Sequence, residues 1–179
     1  MNCREQQGIN VLLIQQKVNT VTIAMCLYAE ETIFDEFDAV FDEIVTLAGY
    51  VLHRVSSVDS EIFTFCLDTG IVPPLYFTAM KCRCPCIRQR AISLLYSMPC
   101  QEGVWNGVVM AKIAERLKAI EEDVLIESSS KSDRVPEFWR VHSADIDIDL
   151  EQQRAKVMFR QRLNGMDGEW DDREELVTW

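Results

Sequence analysis

The sequence predicts a mainly α protein, a multi-helix bundle-like domain with a small C-terminal β-hairpin. Three observations carry that prediction. Apolar residues recur at spacings of three and four over most of residues 9–125. The prolines sit at the starts or ends of these runs, where a missing amide donor costs least. Beyond Pro136 the apolar period drops to two, the signature of half-buried strands. A chain of 179 residues is long enough for one domain with a core, and 48% hydrophobic content is ordinary for a globular protein.

Residues 1–8 carry no cap or linker signal. The first helix is expected from Ile9 to about Glu30, with Val11, Leu12, Ile14, Val18, Val21, Met25 and Leu27 as core candidates. Gln15, Gln16, Lys17 and Asn19 break its apolar run, which is therefore too polar for a membrane span. Thr32 is the expected N-cap of the second helix, with Asp35 three residues on in an imperfect capping box. Phe34, Phe37, Phe41, Ile44, Ala48, Val51 and Val55 then form an amphipathic stripe. Asp35, Glu36, Asp38, Asp42 and Glu43 lie opposite it. They read as a solvated face, since acidic activation segments are generally disordered and not regularly amphipathic. Residues 57–60 break this helix, and a short third one is expected over Glu61 to Leu67, with Gly70 as its stop.

Pro73 and Pro74 open the next helix, which carries Leu75, Tyr76, Ala79, Met80 and Cys82 at helical spacing. Pro85 opens another, with Cys84 at its N-cap and Ile87, Ala91, Leu94, Leu95 and Met98 on its apolar face; Pro99 ends it. Residues 101–103 turn the chain into the longest helix, Val104 to Leu125. Trp105, Val109, Ile113, Leu117, Ile120 and Val124 line one side of it. On the other, Lys112, Glu115, Lys118, Glu121 and Glu122 alternate in sign and support the helix weakly. The domain organisation is thus a helical domain over 1–127 (core motif 70–105), a polar loop over 128–136 and a β-hairpin packed on the helices over 137–163. The hairpin strands are Val141 to Leu150 and Arg154 to Leu163. Residues 164–179 form an acidic tail, either tethered by Trp170 and Trp179 or loose.

Net charge and cysteine usage narrow the function classes. A net charge of -11 and a pI near 4.6 argue against a nucleic-acid surface, which depends on neutralising phosphates with Lys and Arg. Lys81, Arg83, Arg88 and Arg90 stand out as a cationic cluster in this acidic chain. They fit either a phosphate or acidic-partner patch, or internal ion pairs with the acids of the second helix or with Glu102. The acidity of the chain favours internal pairing. Seven cysteines, an odd number, follow no cleavable hydrophobic leader, so reduced thiols in an intracellular compartment are expected.

No chemistry-bearing constellation has the right spacing. Cys82, Cys84 and Cys86 are too closely spaced for a structural zinc site, so no metal or cofactor is expected, and Cys82 reads as a small buried apolar residue. Asp145, Asp147 and Asp149 alternate with isoleucine as a strand with one wet face; Leu150 stands where a calcium loop needs glycine. His53 and His142 are the only histidines, and neither lies near a serine or cysteine motif. There is no G-x-S-x-G, no phosphate-cradling loop and no H-E-x-x-H. No catalytic residue is assigned, and a non-enzyme is expected.

One stretch is specific. The order Gly70-Ile71, Pro74-Leu75-Tyr76, Lys81-Cys82-Arg83, Pro85, Ile87-Arg88, Arg90-Ala91, Leu94-Leu95, Pro99, Glu102-Gly103 and Trp105 resembles the C-terminal part of fungal-specific transcription factors. The resemblance extends over roughly residues 10–165. It departs at Cys84, where the family has an acidic residue before the proline, and at Cys86. It implies a helical, non-catalytic, regulatory or effector-type domain, nuclear, which contacts a second copy of itself or other transcription regulators. Cys82, Arg83, Arg88, Arg90, Glu102 and Trp105 would then be motif residues and partner contacts. DNA reading in that family belongs to a zinc binuclear cluster built on six cysteines in two triplets, which this chain lacks, so no direct nucleic-acid contact is expected of it. The alternative is a small helical ligand-binding accessory protein or enzyme on the same scaffold, which a buried polar pocket lined by Arg83, Arg88, Glu102 or His53 would favour.

Overall fold

The computed structural model describes residues 3–55, 64–66, 70–98, 100–127, 134–162 and 167–179. In chain order they form α1 (Cys3–Met25), a 3-10 turn (Glu31–Phe37), α2 (Asp38–Val55), β1 (Thr64–Cys66), α3 (Val72–Lys81) and α4 (Pro85–Tyr96). Then come β2 (Cys100–Glu102), β3 (Trp105–Asn106), α5 (Gly107–Glu127), a second 3-10 turn (Glu137–Trp139), β4 (Val141–Asp149), β5 (Arg154–Gln161) and β6 (Asp171–Thr178). The protein is mainly α with a C-terminal antiparallel sheet, as its periodicity predicts.

The helices pack as their apolar stripes dictate. Ile14, Val18, Val21 and Met25 recur at spacings of four, three and four, and turn one side of α1 onto α2 and α3. Leu12 and Leu27, expected in the core, lie off this stripe and are 69% and 91% exposed. Phe41, Ile44, Val45, Ala48 and Leu52 bury the inner face of α2. Pro73 falls in the first turn of α3 and Pro85 opens α4, where their missing amides leave no bond unmade. Ala91, Leu95, Val109, Ile113 and Leu117 fill the space between α4 and α5. These two helices come close at Gly107, where a Cβ would lie 2.6 Å from the Leu95 carbonyl oxygen.

Several boundaries differ from the sequence expectation, each for a physical reason. Thr32 does not cap a helix. Its amide and that of Glu31 are bound by the Glu137 carboxylate at 2.7 and 2.9 Å, so residues 31–37 wind as a 3-10 turn and α2 starts only at Asp38. Asp35, read as half of a capping box, instead takes both Nη atoms of buried Arg140 at 2.9 and 2.7 Å. Within the expected third helix, residues 64–66 are strand β1, paired in parallel with β2; the rest of that span lies outside the described residues. Trp105 precedes α5 and sits on β3 opposite Glu102, across a turn in which Gly103 takes a φ of 57°. Asn106 then starts the helix, accepting the Val109 amide on Oδ1 at 3.2 Å.

The C-terminal hairpin forms where it is expected, paired from Val141↔Gln161 to Asp149↔Arg154 with a register shift between Val141 and Ser143. Ala155, Val157 and Phe159 point into the core beneath α5, while Leu150 lies exposed in the turn and not on the apolar face. The segment read as an acidic tail supplies a third strand. β6 pairs antiparallel with β5 along its whole length, from Arg154↔Thr178 to Gln161↔Asp171. Its acids meet the cations of β5, Arg160 with Asp172 at 2.7 Å and Lys156 with Glu174 at 2.8 Å. The Arg116 side chain of α5 holds Glu175 with two bonds of 3.0 and 2.7 Å. The polar loop over 128–133 lies outside the described residues. Among the described residues no helix is long and apolar enough to cross a membrane.

Candidate functional site

Three of the four central cations singled out in the sequence, Lys81, Arg83 and Arg88, converge on a buried ion cluster. Arg83 lies in the three-residue corner between α3 and α4, where Pro85 prevents the helix from continuing. Its Nη2 meets Glu121 Oε1 at 2.7 Å, and its Nη1 meets Glu31 Oε2 at 3.0 Å. The same guanidinium donates to the carbonyls of Lys81 and Val141 at 2.9 and 3.1 Å. Arg88, on the first turn of α4, reaches Glu121 Oε2 at 2.8 Å and donates through Nε to the Ala79 carbonyl at 2.9 Å. Glu121 also accepts the Val141 amide at 2.8 Å. Lys81 closes the cluster on Glu31 at 2.7 Å and donates to the His142 carbonyl at the same distance.

Three cations thus share two carboxylates in a dry interior, and the cluster ties the first 3-10 turn to α3, α4, α5 and β4. Burial drives the Glu121 carboxyl up, but Arg83 and Arg88 outweigh it and hold the group below the usual carboxylate range. Burial pulls Arg83 down, yet its two carboxylate partners more than restore it and leave it raised. Each charge therefore depends on the others, and removing one leaves its partners buried and uncompensated.

Glu102 does not pair with any of these cations. Its carboxylate instead receives the backbone amides of Gly70, Ile71 and Val72 at 2.9, 3.0 and 2.9 Å, capping the N-terminus of α3. Gly70 makes this approach possible, because a Cβ there would lie 2.5 Å from Glu102 Oε1. Arg90 stays at the surface and pairs with Asp42 and Thr46 of α2, so it alone of the three arginines meets the acidic face of the second helix. Trp105 is half-buried with its ring 5.9 Å from that of Tyr76. Cys82 is buried 3.7 Å from Asp38 Oδ1, and burial pushes its thiol up to about 12, which makes it an unreactive core residue. Cys84 and Cys86 hold free thiols with sulfurs 3.3 Å apart. Among the described residues no cluster of three or more His, Cys, Asp or Glu could hold a metal.

Two open spaces flank this framework. A groove of about 960 Å³ between α2 and α4 is lined by Tyr50, His53, Arg90 and Leu94. A smaller cleft of about 370 Å³ lies where α1, α3, β3 and β4 meet, with Tyr76, Trp105 and His142 on its wall. Of the residues expected to mark a ligand pocket, Arg83, Arg88 and Glu102 are engaged in the framework, and His53 lines the groove between α2 and α4. Sequence reasoning passed over Glu31 as an ion partner and over Arg140. The one signal for Glu31 was its place just before a phenylalanine-rich helix, and nothing in the sequence marks Arg140 as buried.

Fold and cluster together define a helical protein whose core is locked by ion pairs. Compared with known protein families, with curated proteins and with solved structures, the chain matches none of them.

Proposed function

We propose that the chain is a non-catalytic regulatory domain of the kind found at the C-terminal end of fungal-specific transcription factors. It acts in the nucleus through a second copy of itself or through other transcription regulators, and it does not touch nucleic acid. One observation carries the proposal. Most of the residues on which the sequence resemblance rests make contacts between elements: Arg83 and Arg88 on Glu121, Glu102 on the first turn of α3, and Trp105 on Tyr76. Residues engaged in this way position three helices against one another and leave the surface to carry contacts. That surface is acidic, which suits protein partners better than phosphates.

The test is a fusion of residues 1–179 to an unrelated DNA-binding domain in a fungal reporter strain. Reporter transcription is expected to rise or fall relative to the DNA-binding domain alone. A stably expressed nuclear fusion that leaves the reporter unchanged overturns the proposal. The second reading, a ligand-binding accessory protein, is favoured by one specific feature, the Tyr76 cleft.

A further inference from the structure

We propose that Cys84 and Cys86 form a dithiol site that reacts with low-molecular-weight disulfides: thiol–disulfide exchange closes the pair into an intramolecular bond, which free thiols reopen. The proposal does not rest on the transcriptional reading, and either can fail alone.

The corner between α3 and α4 brings the two sulfurs together. Cys84 is the extended residue before α4 and Cys86 lies on its first turn, with Pro85 between them. The proline ring fixes φ there and removes one rotation through which the sulfurs could part. They stand 3.3 Å apart. A formed disulfide spans about 2.05 Å, so the gap to close is of the order of 1 Å and lies within reach of side-chain rotation. The helix gives up nothing when the pair closes. The Cys84 thiol caps no amide of the first turn, and the Arg88 amide donates to the Cys84 carbonyl at 3.0 Å, a bond that involves no sulfur.

Exposure decides which cysteines take part and in what order. Cys86 is exposed and lines the groove between α2 and α4, where dissolved reagents reach it, and Cys84 is half-buried beside it. Cys82 stays out, since it is buried and its thiol is held as S–H. The Cys86 thiolate therefore attacks first. It bonds to one sulfur of the incoming disulfide and expels the other half as a thiolate. Cys84, after losing its proton to solvent, attacks the Cys86 sulfur of this mixed disulfide and expels the second half. One disulfide is reduced to two thiols, which take up the two protons, and the cysteine pair is oxidised by two electrons. The hydrogen bond with Cys84 raises the Cys86 thiol above its ordinary value, so the first step quickens as pH rises.

The closed pair is a labile bond and not a structural one. Residues two apart close a small ring that departs from relaxed disulfide geometry, and such bonds are readily reduced.

The probe is glutathione disulfide, used in large excess on the whole chain in glutathione buffer, with thiols then quenched in acid and blocked with N-ethylmaleimide. Trypsin, cutting after Arg83 and Arg88, releases residues 84–88, which hold these two cysteines and no other. Its mass separates the open pair with two maleimides, the mixed disulfide with glutathione, and the closed pair lacking two hydrogens. The closed form is expected to exceed the mixed disulfide about tenfold at about 1 mM free glutathione, because the neighbouring thiol acts at an effective concentration on the order of 10 mM. Excess glutathione should then reopen it. In concentrated urea the ratio should fall several-fold, since the corner no longer holds the sulfurs together. Cys86→Ser should leave Cys84 as a mixed disulfide, whereas Cys26→Ser, which removes another exposed thiol, should leave closure unchanged. A peptide that stays doubly alkylated, a mixed disulfide as the main product of the wild-type chain, an equal ratio in urea, or loss of closure in Cys26→Ser would each overturn the proposal.

Discussion

Cys84 occupies the N-cap of α4 and does nothing for it. The residue has the extended backbone of a cap, φ -69° and ψ 115°, yet its thiol accepts no hydrogen bond from the first turn. A carboxylate at this position would accept one of those amides and would also lie at the positive end of the helix dipole. Cys84→Asp is therefore expected to stabilise the protein by about 1 kcal/mol, read as a rise in melting temperature. An unchanged or lower midpoint would mean that the cap geometry leaves no room for the side chain. Single residues of this kind were legible in the sequence because they rest on local rules. Pro85 fixes the helix start, and the residue before it must be the cap. Cys82 was legible as a core residue for the same reason, since its spacing from Leu75 and Ala79 places it on the inner face. Arg140 was not, because its partner Asp35 is 105 residues away in sequence.

Glu121 is one of the side chains that hold the elements together. Among the described residues it is the one carboxylate that both Arg83 and Arg88 contact, and through the Val141 amide it also anchors the first residue of β4 to α5. Glu121→Gln keeps the shape and one acceptor but leaves two guanidinium groups buried with too little negative charge. The expected cost is roughly 3–5 kcal/mol, a large part of the total stability of a domain of this size. The pH dependence has a defined sign. The folded-state carboxyl titrates below its ordinary value, so its stabilisation is complete above the ordinary carboxylate range and is lost as pH falls through the folded-state value. In urea melts, the gap between wild type and Glu121→Gln should be constant from pH 7 to about 5.5 and should shrink in stronger acid. A gap that persists unchanged to pH 3 would show that the loss is steric and not electrostatic. At this scale the sequence was legible wherever an element's stabilisation is local. α3 and α4 were read nearly to the residue from proline placement, and β4 and β5 from alternation. β1, β2 and β3 were not, because strands of two or three residues carry no period and exist only through their pairing. β6 was misread for a related reason: its run of acids looks solvated until the cations of β5 stand opposite it.

For the whole molecule, two opposing properties decide its behaviour in solution. A net charge of -11 keeps copies apart, yet large apolar side chains stand bare on α1 and just beyond its end. Leu12, Ile23, Leu27 and Tyr28 are 69%, 71%, 91% and 55% exposed, and from Gly8 to Tyr28 the only charged residue is Lys17, already paired with Glu43. These side chains form two bare apolar patches, one at Leu12 and Leu13 and one at Ile23, Leu27 and Tyr28, separated by exposed Gln16, Asn19 and Thr20. The long-range repulsion acts over about a Debye length and is screened by salt, whereas apolar contact is not. Light scattering should therefore show an average mass that rises with protein concentration and rises further on adding salt. Ile23→Glu with Leu27→Glu should return it to the monomer value without changing the melting temperature, because neither side chain contributes to the core. A monomer at every salt and protein concentration would show that charge dominates at contact range too, and that this face is covered by neither a second copy nor a chance neighbour.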